Sequence, residues 1–289
     1  VKPQKSLQEQ LPELRPGQSI ELLKELHILT REGKLNQDTR RKLKQVYHLV
    51  RFIEPLLADV LKITGDVSLA DHGAGKSYLG FILYDLFFKD KPVGWVTGVE
   101  TRAELVERSQ ALAQRLGFDR MRFLATTVQE ALTHPELPAT IDVVTALHAC
   151  DTATDDAIAF GLAKQAKHMV LVPCCQAEVA AVMKRSRALN LARTPLAELW
   201  RHPLHTREFG SQITNVLRCL QLEANGYGVT VTELVGWEHS MKNELILASR
   251  NGPGQQAQQQ RAAERLQQVL DELGLQTLAT RFGGITGVA

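Results

Sequence analysis

Residues 67–80, VSLADHGAGKSYLG, limit what this chain can become more than any other stretch. An apolar run passes into small residues and then into an apolar helix, the order of strand, tight turn and helix that holds a ligand against helix N-terminal amides. A second apolar run, 93–100, follows one crossover later and ends in Glu100, as the next parallel strand of a βαβ unit does. A nucleoside triphosphate is one ligand class for such a turn, because Gly75, Lys76 and Ser77 match the end of a phosphate loop. That loop needs GxxxxGK[ST], and its first glycine is Ala70 here, followed by Asp71, whose carboxylate would repel phosphate. Asp142 stands at the start of its own apolar run, not at a strand end suited to magnesium.

An adenosyl ligand suits the turn better. Asp71-x-Gly73-x-Gly75 lets the backbone pass close beneath a ligand, since glycine has no Cβ to block it. Glu100 stands where an acidic residue accepts hydrogen bonds from ribose hydroxyls. The pair resembles the nucleotide-binding half of class I S-adenosylmethionine-dependent methyltransferases, whose first motif reads acid-x-Gly-x-Gly. Ser77 takes the place of a third glycine found in many of them. The resemblance implies S-adenosyl-L-methionine as cofactor, with Asp71, Gly73, Gly75, Lys76, Glu100, Thr127 and His148 around it.

A chain of 289 residues buries one large core, or one core with a small addition. Hydrophobic residues at 44% and charged ones at 23% describe an ordinary soluble globular protein. No apolar segment reaches membrane-span length, and residues 81–88 are interrupted by Asp85. The absence of an apolar signal segment and of a disulfide framework among four cysteines points to the cytoplasm. A net charge of +2 neither demands nor excludes nucleic acid, but the cations are clustered. Arg40, Arg41, Lys42 and Lys44 form one group, followed by Arg51; Lys184, Arg185, Arg187, Arg193 and Arg201 form another. Two such groups suit a polyanion such as RNA if folding sets them on one side, with Arg40, Arg41, Lys44, Lys184, Arg185 and Arg187 as the substrate-binding candidates.

Residues 1–18 are polar with three prolines and read as an extended arm. Ser19 caps a helix from Ile20, and Asn36 or Asp38 opens a longer periodic stretch through Leu43, Val46, Tyr47, Val50, Ile53 and Leu57, which Pro55 kinks or ends. Residues 1–64 are therefore expected to form a helical extension on a catalytic domain of 65–289. Strands at 93–100, 121–124, 141–147 and 168–172 follow the first, with helices at 78–88, after a Thr101 cap up to Gly117, and at 155–167 under a cap by Thr154 or Asp151. An insertion near 185–209 is placed as a substrate lid, and Ser211 as the cap of a helix over 212–224. Strands 229–235 and 244–249 are joined too briefly for a parallel crossover and should pair antiparallel. A polar linker, 252–260, leads to a terminal helix, 262–273. The expected fold is Rossmann-like α/β, a class I methyltransferase with a seven-stranded, mostly parallel sheet and one antiparallel strand; the resemblance implies the strand order 3-2-1-4-5-7-6.

The carboxyl ends of parallel strands carry the ligand crevice, so the fourth strand should deliver His148, Cys150 and Asp151 to the edge that holds Gly73 and Glu100. The fifth should deliver Pro173, Cys174, Cys175 and Gln176 there. The run LHAC, then VPCCQ, then Glu238-His239-Ser240-Met241-Lys242-Asn243 resembles a methyltransferase subgroup that includes Trm13-type tRNA methyltransferases and METTL25-like proteins. Asp151 stands where that subgroup has glycine. Zinc on His148, Cys150, Cys174 and Cys175 is disfavoured, because adjacent cysteines point apart along a strand and no CxxC spacing is present; no metal is expected. Cys150 or Cys174 as a thiolate nucleophile toward a pyrimidine carbon, with His148 as base, is one alternative; packing cysteines, Cys175 above all, is another. His148 or His239 is a candidate base, and Lys242 a candidate phosphate or alkoxide contact, with Asp151 beside them. The implied reaction is methylation of RNA, either tRNA or ribosomal RNA. Methylation of a protein side chain, or cofactor binding without catalysis in an assembly protein, are the alternatives.

Overall fold

The computed structural model describes residues 11–147, 151–173, 176–186, 191–234 and 244–283. Seven strands, β1 (Ser68–His72), β2 (Trp95–Glu100), β3 (Met121–Ala125), β4 (Val143–Leu147), β5 (His168–Val172), β6 (Tyr227–Glu233) and β7 (Glu244–Arg250), form one sheet in the order β3-β2-β1-β4-β5-β7-β6. β2 pairs in parallel with both β1 and β3, and β4 with β5, while β7 runs antiparallel to β5 and β6. This is the Rossmann-like class I methyltransferase fold. The chain forms two compact units, Val1–Ala125 and Thr126–Ala289.

In the first unit, Ser19 caps α1 (Ile20–Glu25) by accepting from the Leu22 amide at 3.1 Å. Asn36 opens α2 (Gln37–Thr64) with a capping box, accepting from the Thr39 amide at 2.8 Å. The helix runs through Pro55 to Gly65, contrary to an end at that proline. Leu57 and Val60 continue the buried stripe of Leu43, Val46, Val50 and Ile53 beyond it, and their burial offsets the missing proline N–H. α3 (Tyr78–Leu83) continues as a π-helical turn over Tyr84–Phe88. α4 (Ala103–Arg115) starts after Arg102, not Thr101, since the Thr101 hydroxyl turns back to Glu100; Gly117 follows its end at φ +68.

The second unit holds α5 (Val128–Thr133), α6 (Ala153–Ala163), α7 (Glu178–Ser186), α8 (Pro203–Ala224), α9 (Gln256–Glu272) and α10 (Ala279–Phe282). α8 corrects the expected helix at 212–224. It begins at Pro203, where a proline at the first helical position loses no hydrogen bond, and Ser211 lies inside it. Among the described residues of the segment placed as an insertion, Leu191–Arg193 and Pro195–Trp200 form two 3-10 turns. α9 begins inside the stretch read as a linker, because Ala262, Leu266 and Leu270 give its glutamine-rich sequence one buried face. Those leucines join Val179, Met183, Leu217 and Phe282 in a core shared by α7, α8, α9 and α10. Among the described residues no helix is long and apolar enough to cross a membrane.

Candidate functional site

The turn after β1 is built on three left-handed residues, Gly73 at φ +64, Gly75 at φ +55 and Ser77 at φ +49. Glycine occupies two of them without strain. The Ala74 amide donates to the Val99 carbonyl at 3.1 Å, so the turn is tied to β2. Asp71, 2% exposed, lies beneath it and accepts from the Ser77 hydroxyl at 3.0 Å. That bond brings the serine against Gly80, where a Cβ would sit 2.5 Å from Ser77 Oγ and 3.3 Å from Asp71 Oδ2. With Ser77 in the place of a third glycine, the close approach in this helix falls at Gly80. Gly80→Ala is expected to destabilise the protein by about 1–3 kcal/mol, the usual cost of overpacking, read as a shift in the urea midpoint.

Glu100 ends β2 and is 7% exposed. Its Oε1 accepts from the amides of Thr101 at 3.0 Å and Arg102 at 3.1 Å, and from Arg102 Nε at 3.1 Å. Its Oε2 accepts from the Gly75 amide at 2.8 Å and Arg102 Nη2 at 3.3 Å. Burial pushes the carboxyl's pKa up, but the bonds from Arg102 and Gly75 outweigh it and hold it at about 2. The carboxylate is therefore ionised at neutral pH; its contribution to stability is complete above the ordinary value of 4.5 and fades as pH falls toward 2. His72, 6% exposed at the end of β1, was passed over in the sequence. Burial lowers its pKa to about 4, against the pull of Glu100, so the ring is neutral at pH 7.

These residues fit S-adenosylmethionine. An ionised, nearly buried carboxylate suits a ribose diol, two carboxylates with no buried cation among these residues suit a sulfonium, and the glycine turn leaves bare backbone beside them.

In the second unit, one stripe of α8 gathers three other segments. Arg218, wholly buried, donates through Nε to Asp155 Oδ1 at 2.6 Å and through Nη2 to Asp155 Oδ2 at 3.1 Å. The same Nη2 donates to the Asp151 carbonyl at 2.8 Å, and Nη1 donates to Asn215 Oδ1 at 3.1 Å. Asn215 also accepts from Gln176 Nε2 at 2.7 Å and donates to Glu244 Oε2 at 2.7 Å. Ser211 donates to Gln176 Oε1. Asp151, Gln176 and Glu244 adjoin LHAC, VPCC and EHSMKN respectively, so one helix face fixes the flank of each motif. Asp151 has φ +49, which explains why glycine suits that position, and its Oδ1 accepts from the Ala177 amide at 3.2 Å. Sequence reasoning missed Arg218, Asn215 and Ser211. Their signal was polar residues spaced four and three apart on the side of α8 that also carries buried Leu222.

Thr127 caps α5, accepting from the Glu130 amide and donating to Glu130 Oε2 at 2.9 Å. Lys76 is exposed and lines a cavity against α4. Arg40 pairs with Glu13 at 3.2 Å and Arg41 with Asp38 at 3.8 Å, while Lys44 is exposed. Lys184 and Arg185 are exposed in the last turn of α7. The structure thus brings Gly73, Gly75 and Glu100 together, with Asp71 below, and in the other unit ties Asp151 to the flanks of the cysteine pair and of β7. His148, Cys150, Cys174, Cys175, Arg187, His239 and Lys242 lie outside the described residues. Cys219 is the one described cysteine; burial, then the charges of Glu244 and Glu223, push its thiol up to about 12, too high for a nucleophile at neutral pH. Among the described residues no group of three or more His, Cys, Asp or Glu is placed to hold a metal ion.

Residues 41–182 match a family model described as a methyltransferase domain. No curated protein matches the chain. Among solved structures, the magnesium protoporphyrin IX methyltransferase of Synechocystis PCC 6803 is similar at 15% identity, covering 80% of this chain and 93% of its own, with a TM-score of 0.46. A ribosomal RNA methylase from Streptococcus thermophilus is similar at 10% identity, covering 70% and 96%, TM-score 0.42. The Methanococcus jannaschii fibrillarin pre-rRNA processing protein is similar at 12% identity, covering 65% and 67%, TM-score 0.42.

Proposed function

We propose that this S-adenosylmethionine-dependent methyltransferase of the class I fold delivers its methyl group to RNA, either tRNA or ribosomal RNA. The observation that carries the acceptor is a row of cations along one face of α2. Arg40, Lys44 and Arg51 are spaced at four and seven residues, all exposed, and Lys44 and Arg51 have no ion pair among the described residues. Such a row tracks a phosphate backbone, releasing counterions on binding. Lys184 and Arg185 at the end of α7 are a separate pair of exposed cations, in the other unit. In this reading the helices of 1–64 are the RNA platform and 65–289 the catalytic domain. The finer likeness to Trm13-type and METTL25-like enzymes rests on the LHAC, VPCCQ and EHSMKN motifs.

Bound S-adenosylmethionine supplies a methyl group already activated by its sulfonium. Glu100 holds the ribose, the Gly73–Gly75 turn admits the nucleoside close to the backbone, and Thr127, two residues beyond β3, is assigned to the adenine. Asp71 supports the turn through Ser77. We assign His148, the residue after β4, to take the acceptor hydroxyl's proton on a ring nitrogen, with His239 as the second candidate base. Lys242 contacts phosphate, and Asp151 sets the loop between β4 and α6. Cys150 and Cys174 are kept as candidate nucleophiles, a thiolate being needed only for methylation at carbon.

Labelled methyl transferred from the donor into fractionated cell extract tests the acceptor. The label is expected to disappear after ribonuclease and survive protease. Label removed by protease and resistant to ribonuclease would assign the acceptor to protein.

A further inference from the structure

A cavity of about 310 Å³ lies in the first unit, walled by α4, by the residues that open α3 and by the end of α1. Its deeper side is mostly apolar, with Leu26 buried and Leu105 and Leu112 half-buried around the buried Ser109, and Tyr78 stands beside them. Its mouth carries three exposed cations, Lys76, Arg108 and Arg115. Arg115 is paired with Glu25 at 2.8 Å, whereas Lys76 and Arg108 have no ion pair among the described residues. Two uncommitted cations above an apolar wall suit an anion that carries a flat, weakly polar group. The methyl donor cannot be that ligand, since it is cationic at sulfur and has no phosphate. Nor is the cavity a triphosphate loop, because Ala70 and Asp71 break that pattern.

We propose that this cavity takes one nucleotide of the RNA acceptor, its base against the leucines and Tyr78 and its phosphate between Lys76 and Arg108. The proposal rests on the RNA reading above. Base stacking on an apolar or aromatic surface combined with cationic contact to the backbone is the usual physics of single-strand binding, and the volume lies at the lower end of small-ligand sites. Lys76 directly follows Gly75, whose amide holds Glu100, so a nucleotide seated here lies one residue along the chain from the cofactor turn. The cavity would anchor the acceptor near the donor without touching the reacting atoms.

The test uses the full chain saturated with S-adenosylhomocysteine, so that the adenosyl site is filled. Uridine 5′-monophosphate and uridine are titrated separately and followed by amide chemical shifts. The monophosphate is expected to bind at least about tenfold more tightly than uridine, Arg108→Gln to remove that difference, and Leu112→Trp, which fills the cavity, to weaken both. Equal affinities for the two ligands, or an Arg108→Gln variant indistinguishable from the parent, would overturn the site. A single-stranded oligoribonucleotide supplies the second arm, with Arg108→Gln lowering the slope of log affinity against log salt by about 0.7. An unchanged slope beside positive monophosphate binding would leave a nucleotide site and overturn its link to the acceptor. Methyl label found only in protein would fell the RNA reading itself, a result separate from either titration.

Discussion

Glu100→Ala is expected to weaken S-adenosylhomocysteine binding by about 100-fold, and Glu100→Gln by about tenfold, measured by calorimetry on the folded proteins. A hydrogen bond to an ionised acceptor contributes about 1.5–3 kcal/mol net, and each 1.4 kcal/mol is a factor of ten in affinity. Alanine removes both acceptor oxygens; glutamine keeps one and loses the charge. Alanine also frees the amides of Gly75, Thr101 and Arg102, so it should lower thermal stability where glutamine does so less. Arg102 adds a second readout. Its guanidinium is 59% exposed and occupies both Glu100 oxygens, and a ribose diol must compete with it. Because Glu100 titrates at about 2 and His72 at about 4, neither changes charge between about pH 5 and 8, and cofactor affinity should be flat across that range as far as these two groups set it. Affinity unmoved by Glu100→Ala would remove the ribose from the end of β2, and with it the reading of the whole turn.

The strands were legible because each is a short apolar run ended by turn residues, and the brief link between β6 and β7 forces an antiparallel pair; their order in the sheet came from the resemblance. Helix boundaries were legible where a local cap decides them, as at Ser19 and Asn36, and misread where packing decides them. The long α8 shows why: Pro203 looks like a breaker in sequence, yet it is harmless at the first helical position, and nothing local reveals that the residues after it pack on a neighbour. The extension of α9 into a glutamine-rich stretch has the same cause. At the site, acid-x-Gly-x-Gly and Glu100 carried their own explanation. The two places where glycine was expected and another residue stands, Ser77 and Asp151, both adopt left-handed φ, so the backbone requirement was readable although the residue had changed. Asp71 is the opposite case: the motif marked it, but only the structure shows its carboxylate turned beneath the turn toward Ser77. Arg218 left almost no trace, because a charged residue on a helix is ordinarily solvated and its burial depends on Asp155, sixty-three positions away in the chain.

That burial gives Arg218 the largest expected effect on stability. Arg218→Met should cost about 3–5 kcal/mol, because it leaves the Asp155 carboxylate enclosed without its partner. For a chain of this size that corresponds to a fall in Tm of roughly 10 °C. Replacing both members, as Arg218→Met with Asp155→Leu, removes the unpaired charge and should restore most of the loss, since an apolar pair of similar volume is often as stable as a buried ion pair. Turnover should not return with stability. The guanidinium also holds the Asp151 carbonyl and orients Asn215, which in turn holds Gln176 and Glu244, and no apolar pair replaces those bonds. The double variant is therefore expected to fold near the parental Tm, to bind S-adenosylhomocysteine as the parent does, and to transfer methyl at least about 100-fold more slowly, since a misplacement of about 1 Å in reacting groups costs that much. Asn215→Leu, which leaves the Arg218–Asp155 pair in place, should show the same fall in kcat with a smaller loss of stability. If turnover in the double variant recovered together with Tm, the stripe on α8 would be a stabilising core feature alone, and the three motifs would owe their arrangement to something other than this helix.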